Sequence, residues 1–264
     1  MRQSRIKAKL ARDEPVLITC LHFGDSALFE MTSLMGFDGI WVDMEHHGIS
    51  LERVTSLMAA ARVGSSDIVV RPAKGEYLRM GRMLEVGAHA IMYPQCDTAE
   101  EAAEVVHWCK FPPLGRRGCD AANADVPYLS MPIAEYTEQA NQETVIIIQI
   151  ETAAALENVE QIAAVEGVDV LMLGPADMSL QLGIPGEIQH PKIIEATERV
   201  ANAAIQCGKH WGRPVGSPEE AQKYMDMKGR FICSGADIVT IKLAHEALQA
   251  QYAALGFTFD NRLK

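Results

Sequence analysis

Short runs of apolar and β-branched residues recur eight times along this chain, and amphipathic stretches with helical periodicity separate them. Runs of four to eight apolar residues without alternation are typical of strands covered on both faces. Strands that alternate with helices pair in parallel through right-handed crossovers. Eight units favour a closed barrel, and 264 residues are enough for one. We therefore predict an α/β fold, a (β/α)8 TIM barrel, formed as a single domain by residues 1–264.

The predicted elements follow the same alternation. The strands are expected at 15–23, 39–47, 67–73, 90–96, 144–151, 169–177, 208–212 and 236–241, and the seventh has the weakest pattern. Helices are expected at 50–62, 97–110, 151–165 and 191–209. Ser50 opens the first helix, and Asp97 is the expected N-cap of the second.

Residues 111–143 do not fit the repeat. This segment carries four prolines and a GRRG tetrad, so we predict a long irregular loop. It is expected to leave the barrel after the fourth strand, on the catalytic face. Such loops are more often functional than idle, although a loop used for subunit contacts is the alternative.

Charge and cysteine content limit the partners and the compartment. The formal charge of −11 argues against nucleic acid, which needs a basic face. An anionic substrate would therefore need local positive charge, from one arginine or a metal ion. Six cysteines without a CxxC pair suit neither a zinc cluster nor a disulfide scaffold. With no secretory pattern and no apolar run of about 18 residues, we expect a cytoplasmic protein that does not enter membranes.

Polar residues concentrate where the predicted strands end, which is where active sites of such barrels lie. Their number exceeds what solubility requires. They are Asp43, Glu45, His46, His47, Arg71, Gln149, Glu151 and Asp177.

Glu151 and Asp177 follow two successive strands. Two acids on adjacent strand ends can point into one space and bind a hard divalent cation such as Mg²⁺ or Mn²⁺, with water and substrate as the other ligands. Each acid could instead cap the helix that follows it. Their occurrence as a pair favours the metal site.

Three neighbouring features suit a 2-oxo acid beside that metal. The turn Gly174–Asp177 opens a short helix whose backbone N–H groups could hold a carboxylate. Arg71 could neutralise an enolate oxygen, or form a salt bridge with Glu45. His46, next to an acid, could move protons; a zinc site would need a third nitrogen or sulfur ligand that the spacing does not offer.

A lysine Schiff base is the alternative chemistry for an aldolase. The candidate lysines are Lys74, Lys209 and Lys242, and none of them ends a strong strand within the acidic cluster. The sequence favours the metal.

Several blocks together resemble the class II pyruvate-dependent aldolases of the 4-hydroxy-2-oxoheptanedioate (HpcH/HpaI) aldolase family. They are GFDGIWVDMEHH (36–47), VVRPA (69–73), residues 80–102, FPPLGRRG (111–118) and residues 146–183, which include QIET and GPADMS. The resemblance covers nearly the whole chain.

The resemblance implies a role for each matching residue. Glu151 and Asp177 would bind the divalent metal (Mg²⁺, Mn²⁺ or Co²⁺), and Gln149 would face the metal or the substrate. Pyruvate's carboxylate would bind at Gly174, Pro175 and Ala176, and Arg71 would contact pyruvate and its enolate. The catalytic residues would be His46, Arg71, Glu85 and Asp43, with Glu85 standing where known members carry an aspartate that partners the histidine.

Other positions depart from the family pattern. Cys20 replaces a tryptophan near the substrate, His47 replaces a small residue, and Trp211 and Arg213 stand where small apolar residues are usual. We expect these changes to affect the pocket of the electrophile more than the handling of pyruvate.

The implied function is a metal-dependent aldolase that adds the enolate of pyruvate, or of another 2-oxo acid, to an aldehyde and cleaves 4-hydroxy-2-oxo acids. Oxaloacetate decarboxylase, thioester carbon–carbon lyase and a non-catalytic keto-acid-binding barrel are the alternatives. The resemblance also implies a homohexamer in which C-terminal helices are exchanged. The helix predicted at 242–255 has a suitable apolar stripe, which would equally suit packing on its own barrel.

Overall fold

The computed structural model describes residues 3–263, and in this range the chain forms one closed barrel. Eight strands pair in parallel in chain order, and the last strand pairs with the first. This confirms the predicted single (β/α)8 barrel. The strands are β1 (Val16–Leu21), β2 (Gly39–Asp43), β3 (Asp67–Arg71), β4 (Ala90–Tyr93), β5 (Val145–Ile150), β6 (Val170–Leu173), β7 (His210–Val215) and β8 (Phe231–Ala236).

Twelve helices surround the barrel in the described range. They are α1 (Arg5–Ala11), α2 (Ser26–Leu34), α3 (Leu51–Ala61), α4 (Tyr77–Glu85), α5 (Ala99–Cys109), α6 (Ile133–Glu143), α7 (Ala153–Glu157), α8 (Val159–Ala163), α9 (Pro175–Gln181), α10 (Pro191–Gln206), α11 (Pro218–Asp226) and α12 (Asp237–Ala253).

The core has two layers because residues alternate between the inside of the barrel and the helices. The inner layer packs apolar side chains such as Trp41, Met92 and Met172. Ile6 and Leu10 of α1 belong to this layer and close the end where the strands begin. The other end therefore stays open for a site.

The predicted eighth strand, 236–241, is wrong. β8 comes five residues earlier, and the apolar run belongs to α12. Gly235, with a φ of +80°, lies within β8 next to Ala236, where the register of β8 against β1 shifts. The sequence pattern could not separate the two, because the start of α12 is as rich in apolar residues as a buried strand although only Asp237 is buried within the helix.

Two smaller corrections concern helix ends. Thr98, not Asp97, caps α5 by accepting a hydrogen bond from the backbone N–H of Glu101. Asp97 instead accepts hydrogen bonds from Lys74 and Thr152. The helix predicted at 151–165 is divided into α7 and α8. The predicted Ser50 start of α3 is confirmed.

Residues 111–143 lie at the opposite end of the barrel from the predicted catalytic face. The backbone N–H of Arg116 donates to the carbonyl of His107, in the last turn of α5, and that of Asp125 donates to the carbonyl of Glu85, which ends α4. Both helix ends lie where the strands begin. The segment follows α5 rather than β4 directly, so the chain has already returned to that end; its last third is the helix α6.

Helix α12 projects from the barrel. Within it the structure buries only Asp237, while apolar side chains such as Val239, Leu243 and Leu248 are about half exposed. The outer wall that it leaves uncovered contains a cavity of about 400 Å³, lined in part by Leu17 and Met225. Packing of this helix on its own barrel, one of the two alternatives, is therefore not what the structure shows.

Across residues 3–263, every helix is too short or too polar to cross a membrane.

Candidate active site

A buried ion pair links the ends of β2 and β3. Asp43 and Arg71 are the last residues of these strands and stand in register. The guanidinium donates from Nε to Oδ1 of Asp43 at 2.9 Å and from Nη2 to Oδ2 at 2.7 Å. Burial alone would raise the pKa of Asp43, but these hydrogen bonds outweigh it and the pKa is lowered. Arg71 is therefore held in one orientation.

Arg71 also contacts the rest of the site. Its Nε lies 3.2 Å from Oε2 of Glu45, so the salt bridge offered as the alternative role exists beside the bond to Asp43. Its Nη1 is 3.4 Å from Oε1 of Gln149, and its guanidinium lies 4.7 Å above the ring of Trp41. Arg71 is only 7% exposed, so water screens its interactions with neighbouring groups little.

Glu151 directly follows β5 and is 1% exposed. Its carboxylate accepts hydrogen bonds from the backbone N–H of Gln95 at 2.8 Å and from Nε2 of Gln149 at 3.3 Å. Burial raises the pKa of Glu151 to about 7, with the charges of Asp177 and Glu45 adding to the effect. Asp177, in the first turn of α9, therefore lies near enough to Glu151 for its charge to act on that carboxyl.

The residues present fit a divalent cation in an open site. The charge of Arg71 is balanced by Asp43. Three further carboxyl groups, those of Glu45, Glu151 and Asp177, lie near enough to influence one another and give the site an excess of negative charge that a cation would balance. Oε2 of Glu45 is buried without a hydrogen-bond partner. Within residues 3–263 no set of three or more His, Cys, Asp or Glu side chains is arranged to hold a metal by itself. Mg²⁺ suits such a site because it keeps several water ligands.

His46 and Glu85 lie at opposite ends of the barrel. His46 follows β2, its side chain is 55% exposed, and its Nε2 is 3.6 Å from Oε2 of Glu45. Glu85 is the last residue of α4, at the end where the strands begin. The predicted partnership is therefore not formed within one chain, because a helix antiparallel to β3 carries its last residue away from the strand ends.

A cavity of about 520 Å³ opens beside Arg71 and Asp43. Some residues that line this cavity were not predicted from the sequence. They are His22, which follows β1, and residues in the first turns of α12, including Thr240. His22 could have been found because it follows a strand. Asp237, which contacts His22, was hidden inside the wrongly predicted eighth strand.

The chain matches one described family along most of its length. A model of the family HpcH/HpaI aldolase/citrate lyase matches residues 23–244. A 4-hydroxy-2-oxo-heptane-1,7-dioate aldolase from Shigella sonnei is 31% identical over 252 residues, which cover 96% of both chains. The chain belongs to the HpcH/HpaI aldolase/citrate lyase family. This confirms the predicted family and the lyase class.

Two further relatives cover almost the whole chain. A hydroxypyruvate/pyruvate aldolase from Agrobacterium fabrum is 29% identical over 250 residues, or 95% of this chain and 94% of that protein. The crystal structure of an HpcH/HpaI aldolase from Desulfitobacterium hafniense has a TM-score of 0.88 and 28% identity, over 93% of this chain and 96% of that one.

Two residues that differ from the family pattern, Trp211 and Arg213, do not line the cavity of this HpcH/HpaI-family barrel. Trp211 packs in the outer core layer. Arg213 is fully buried on the ring of Tyr224 at 4.7 Å and donates to Oγ1 of Thr197 at 2.9 Å, on α10. The expectation is wrong for these two because their side chains point to the helices. Cys20 does line the cavity.

Gly174 is required by the close approach of Glu151. A Cβ at Gly174 would lie 2.2 Å from Oε2 and 2.7 Å from Cβ of Glu151. We expect Gly174→Ala to push the Glu151 carboxylate aside, lowering the affinity for Mn²⁺ at least tenfold with a loss of unfolding free energy of roughly 1–3 kcal/mol. Calorimetric titration with Mn²⁺ measures the first quantity and urea unfolding the second. Gly118→Ala, at an exposed glycine with open space around it and no positive φ, is the control for changes outside the site. Wild-type Mn²⁺ affinity in Gly174→Ala would contradict the role of the close contact.

Proposed function

We propose that this chain is a divalent-metal-dependent aldolase that forms the enolate of pyruvate or another 2-oxo acid and adds it reversibly to an aldehyde, cleaving 4-hydroxy-2-oxo acids. The observation that carries the proposal is the buried Arg71, fixed by Asp43 and aimed at Gln149 beside the buried acid Glu151. Relatives named as 4-hydroxy-2-oxo-heptane-1,7-dioate aldolase and hydroxypyruvate/pyruvate aldolase support it.

The protein's own groups supply binding and charge stabilisation. Arg71 is fixed before the substrate arrives, so it stabilises negative charge on the keto oxygen without reorganisation. The N–H groups in the first turn of α9, at Ala176 and Asp177, have no partner within the helix and can donate hydrogen bonds to the substrate carboxylate. Gln149 orients the substrate between Arg71 and Glu151.

Glu151 and Asp177 would hold the divalent ion, for which Mg²⁺, Mn²⁺ and Co²⁺ are the candidates. When bound, the ion polarises the keto group and acidifies the adjacent C–H. His46, exposed to solvent and 3.6 Å from Glu45, would exchange the proton of that carbon with water. Glu85 could assist His46 only from another subunit.

The alternative lyases are less well supported by the cavity. A thioester substrate with a nucleotide would need a basic groove, but Arg71 is the sole lysine or arginine among the described residues that line the cavity. Arg116, the exposed arginine of the GRRG tetrad, lies at the other end of the barrel. Oxaloacetate decarboxylation would use the same enolate site and serves here as a probe of it.

We infer that the protein is a homo-oligomer, a hexamer by family resemblance. The exposed apolar side chains of α12 and the uncovered cavity beside Leu17 and Met225 support an exchange of this helix between copies. A reducing compartment such as the cytoplasm is supported by the six cysteines, all free thiols.

The proposal is tested by two reactions of EDTA-treated protein. We expect oxaloacetate decarboxylation and cleavage of 4-hydroxy-2-oxoheptane-1,7-dioate or 4-hydroxy-2-oxopentanoate to be absent after EDTA and restored by Mg²⁺, Mn²⁺ or Co²⁺. Pyruvate release, followed with lactate dehydrogenase, measures both. Activity that survives EDTA but is destroyed by borohydride with pyruvate would indicate a lysine enzyme, and inactivity with every metal would favour the binding-only barrel.

A further inference from the structure

A histidine–carboxylate pair that the proposed mechanism does not yet use includes His22, which lines the cavity beside Arg71 and Asp43. His22 follows β1, and its Nδ1 is 3.1 Å from Oδ1 of Asp237, the first residue of α12. This contact is shorter than those of His46 with Glu45, at 3.6 Å, and of His47 with Asp43, at 3.8 Å. Asp237 is 5% exposed, and the side chain of His22 is 21% exposed.

The hydrogen bonds of Asp237 determine which nitrogen of His22 carries the proton. The backbone N–H groups of His22 and Ile238 donate to Oδ1 of Asp237, and that of Phe23 donates to Oδ2. Both carboxylate oxygens are therefore acceptors, so Nδ1 is the donor in its contact with Oδ1. In the neutral ring the lone pair then lies on Nε2, which makes Nε2 a proton acceptor.

Nε2 of His22 lies beside the cavity. The ring lines the cavity together with Cys20, whose Sγ is 3.7 Å from Nε2, and with Asp43 and Arg71. The lining also includes the apolar residues Val215, Val239 and Leu243, together with Thr240. Arg71 lines the same cavity, whereas Gly174 and Asp177 are not among the described residues that line it. A molecule bound to Arg71 by its keto-acid end would extend its other end past His22.

We propose that His22 is the catalytic acid–base for the oxygen of the aldehyde carbon. In cleavage, Nε2 takes the proton of the 4-hydroxyl group. The O–H electron pair then forms the new C=O bond, and the pair of the breaking C3–C4 bond remains on C3 as the enolate. In synthesis, protonated His22 returns that proton to the alkoxide. Asp237 is a positioning residue that fixes the ring. The inference rests on the proposed aldolase function and deepens it.

A Cys–His–Asp nucleophile is the other chemistry that this arrangement resembles. Burial raises the pKa of the Cys20 thiol, and the nearby Cys233 and Asp43 raise it further. A thiol that stays protonated is a poor nucleophile. Cys20 therefore lies next to Nε2 without acting as a nucleophile. We expect Cys20→Ser to keep the rate of cleavage of 4-hydroxy-2-oxo acids within about threefold of wild type.

The test compares two reactions of one enzyme, because decarboxylation of oxaloacetate needs the enolate site but transfers no proton at an aldehyde oxygen. The variant is His22→Asn, whose amide can still donate to Asp237 but which lacks Nε2. With Mn²⁺ we expect kcat for cleavage of the 4-hydroxy-2-oxo acid that wild type cleaves fastest to fall about 10²–10⁴-fold. The decarboxylation kcat should stay within threefold and the melting temperature within about 3 °C. Asp237→Asn should lower the cleavage kcat less, with its KM unchanged.

The outcomes separate this inference from the function on which it rests. Retained cleavage in His22→Asn, or equal losses in both reactions, would overturn the role of His22. Loss of cleavage in Cys20→Ser would indicate the nucleophile instead. His107→Asn, a control on α5 outside the candidate site, should leave cleavage unchanged. A wild-type protein that decarboxylates but cleaves no 4-hydroxy-2-oxo acid would also overturn it, whereas one without either reaction would overturn the proposed function itself.

Discussion

An Arg71→Lys enzyme is expected to lose about 10²–10³-fold in kcat for both oxaloacetate decarboxylation and aldol cleavage, while its affinity for Mn²⁺ changes less than threefold. The reason is geometric. Arg71 donates two hydrogen bonds to Asp43 and still directs Nη1 toward Gln149 at 3.4 Å. A lysine ammonium is a point charge that cannot reproduce this planar fork, so the cation would follow Asp43 away from the substrate oxygen.

The lysine variant is preferred to alanine for the measurement. Removing the cation would leave Asp43 and Glu45 buried without a positive partner, at a cost of roughly 3–5 kcal/mol of unfolding free energy. Arg71→Ala should therefore lower both turnover and the melting temperature, whereas Arg71→Lys isolates the chemistry. Steady-state kinetics measure the change in kcat, and calorimetric titration measures the change in Mn²⁺ affinity. An equal loss of turnover and of metal affinity would contradict the assigned role.

Glu151→Gln is expected to abolish the stabilisation of the protein by Mn²⁺ and to reduce cleavage at least 10³-fold, because it removes one of the two proposed ligand acids. The pH dependence of the metal-free protein tests the same residue without activity. The pKa of Glu151 is about 7 in the folded state against 4.5 ordinarily, so between these values the folded protein binds more protons than the unfolded chain. The free energy of unfolding must then fall as pH rises from about 4.5 to 7.

The size of the effect makes it measurable. A change of pKa from 4.5 to about 7 corresponds to roughly 3 kcal/mol, so this acid would contribute a fall of several degrees in the melting temperature of metal-free wild type across that window. Mn²⁺ competes with the proton, so its stabilising effect should be small near pH 5.5 and full above pH 7.5. In Glu151→Gln both dependences should be reduced. Unchanged pH dependence of the melting temperature in this variant would show that other groups cause it.

Local patterns determined the barrel. Seven of the predicted strands coincide with or overlap the observed ones, because buried parallel strands need continuous apolar runs and the runs here are separated by helices with a clear period. Strand ends in turn determined most of the site. Asp43, Arg71, Gln149 and Glu151 end strands or follow them directly, and all strands of such a barrel end on one face.

Only the tertiary structure decided which residues far apart in the sequence lie close together. The sequence could not show that Glu85 ends a helix at the far face, that residues 111–143 follow it there, or that Trp211 and Arg213 point outward. It also could not reveal the His22–Asp237 contact, because 215 positions separate these residues and closure of β8 on β1 brings them together. The periodicity of a chain records which residues are buried, whereas contacts between distant side chains depend on how the barrel closes.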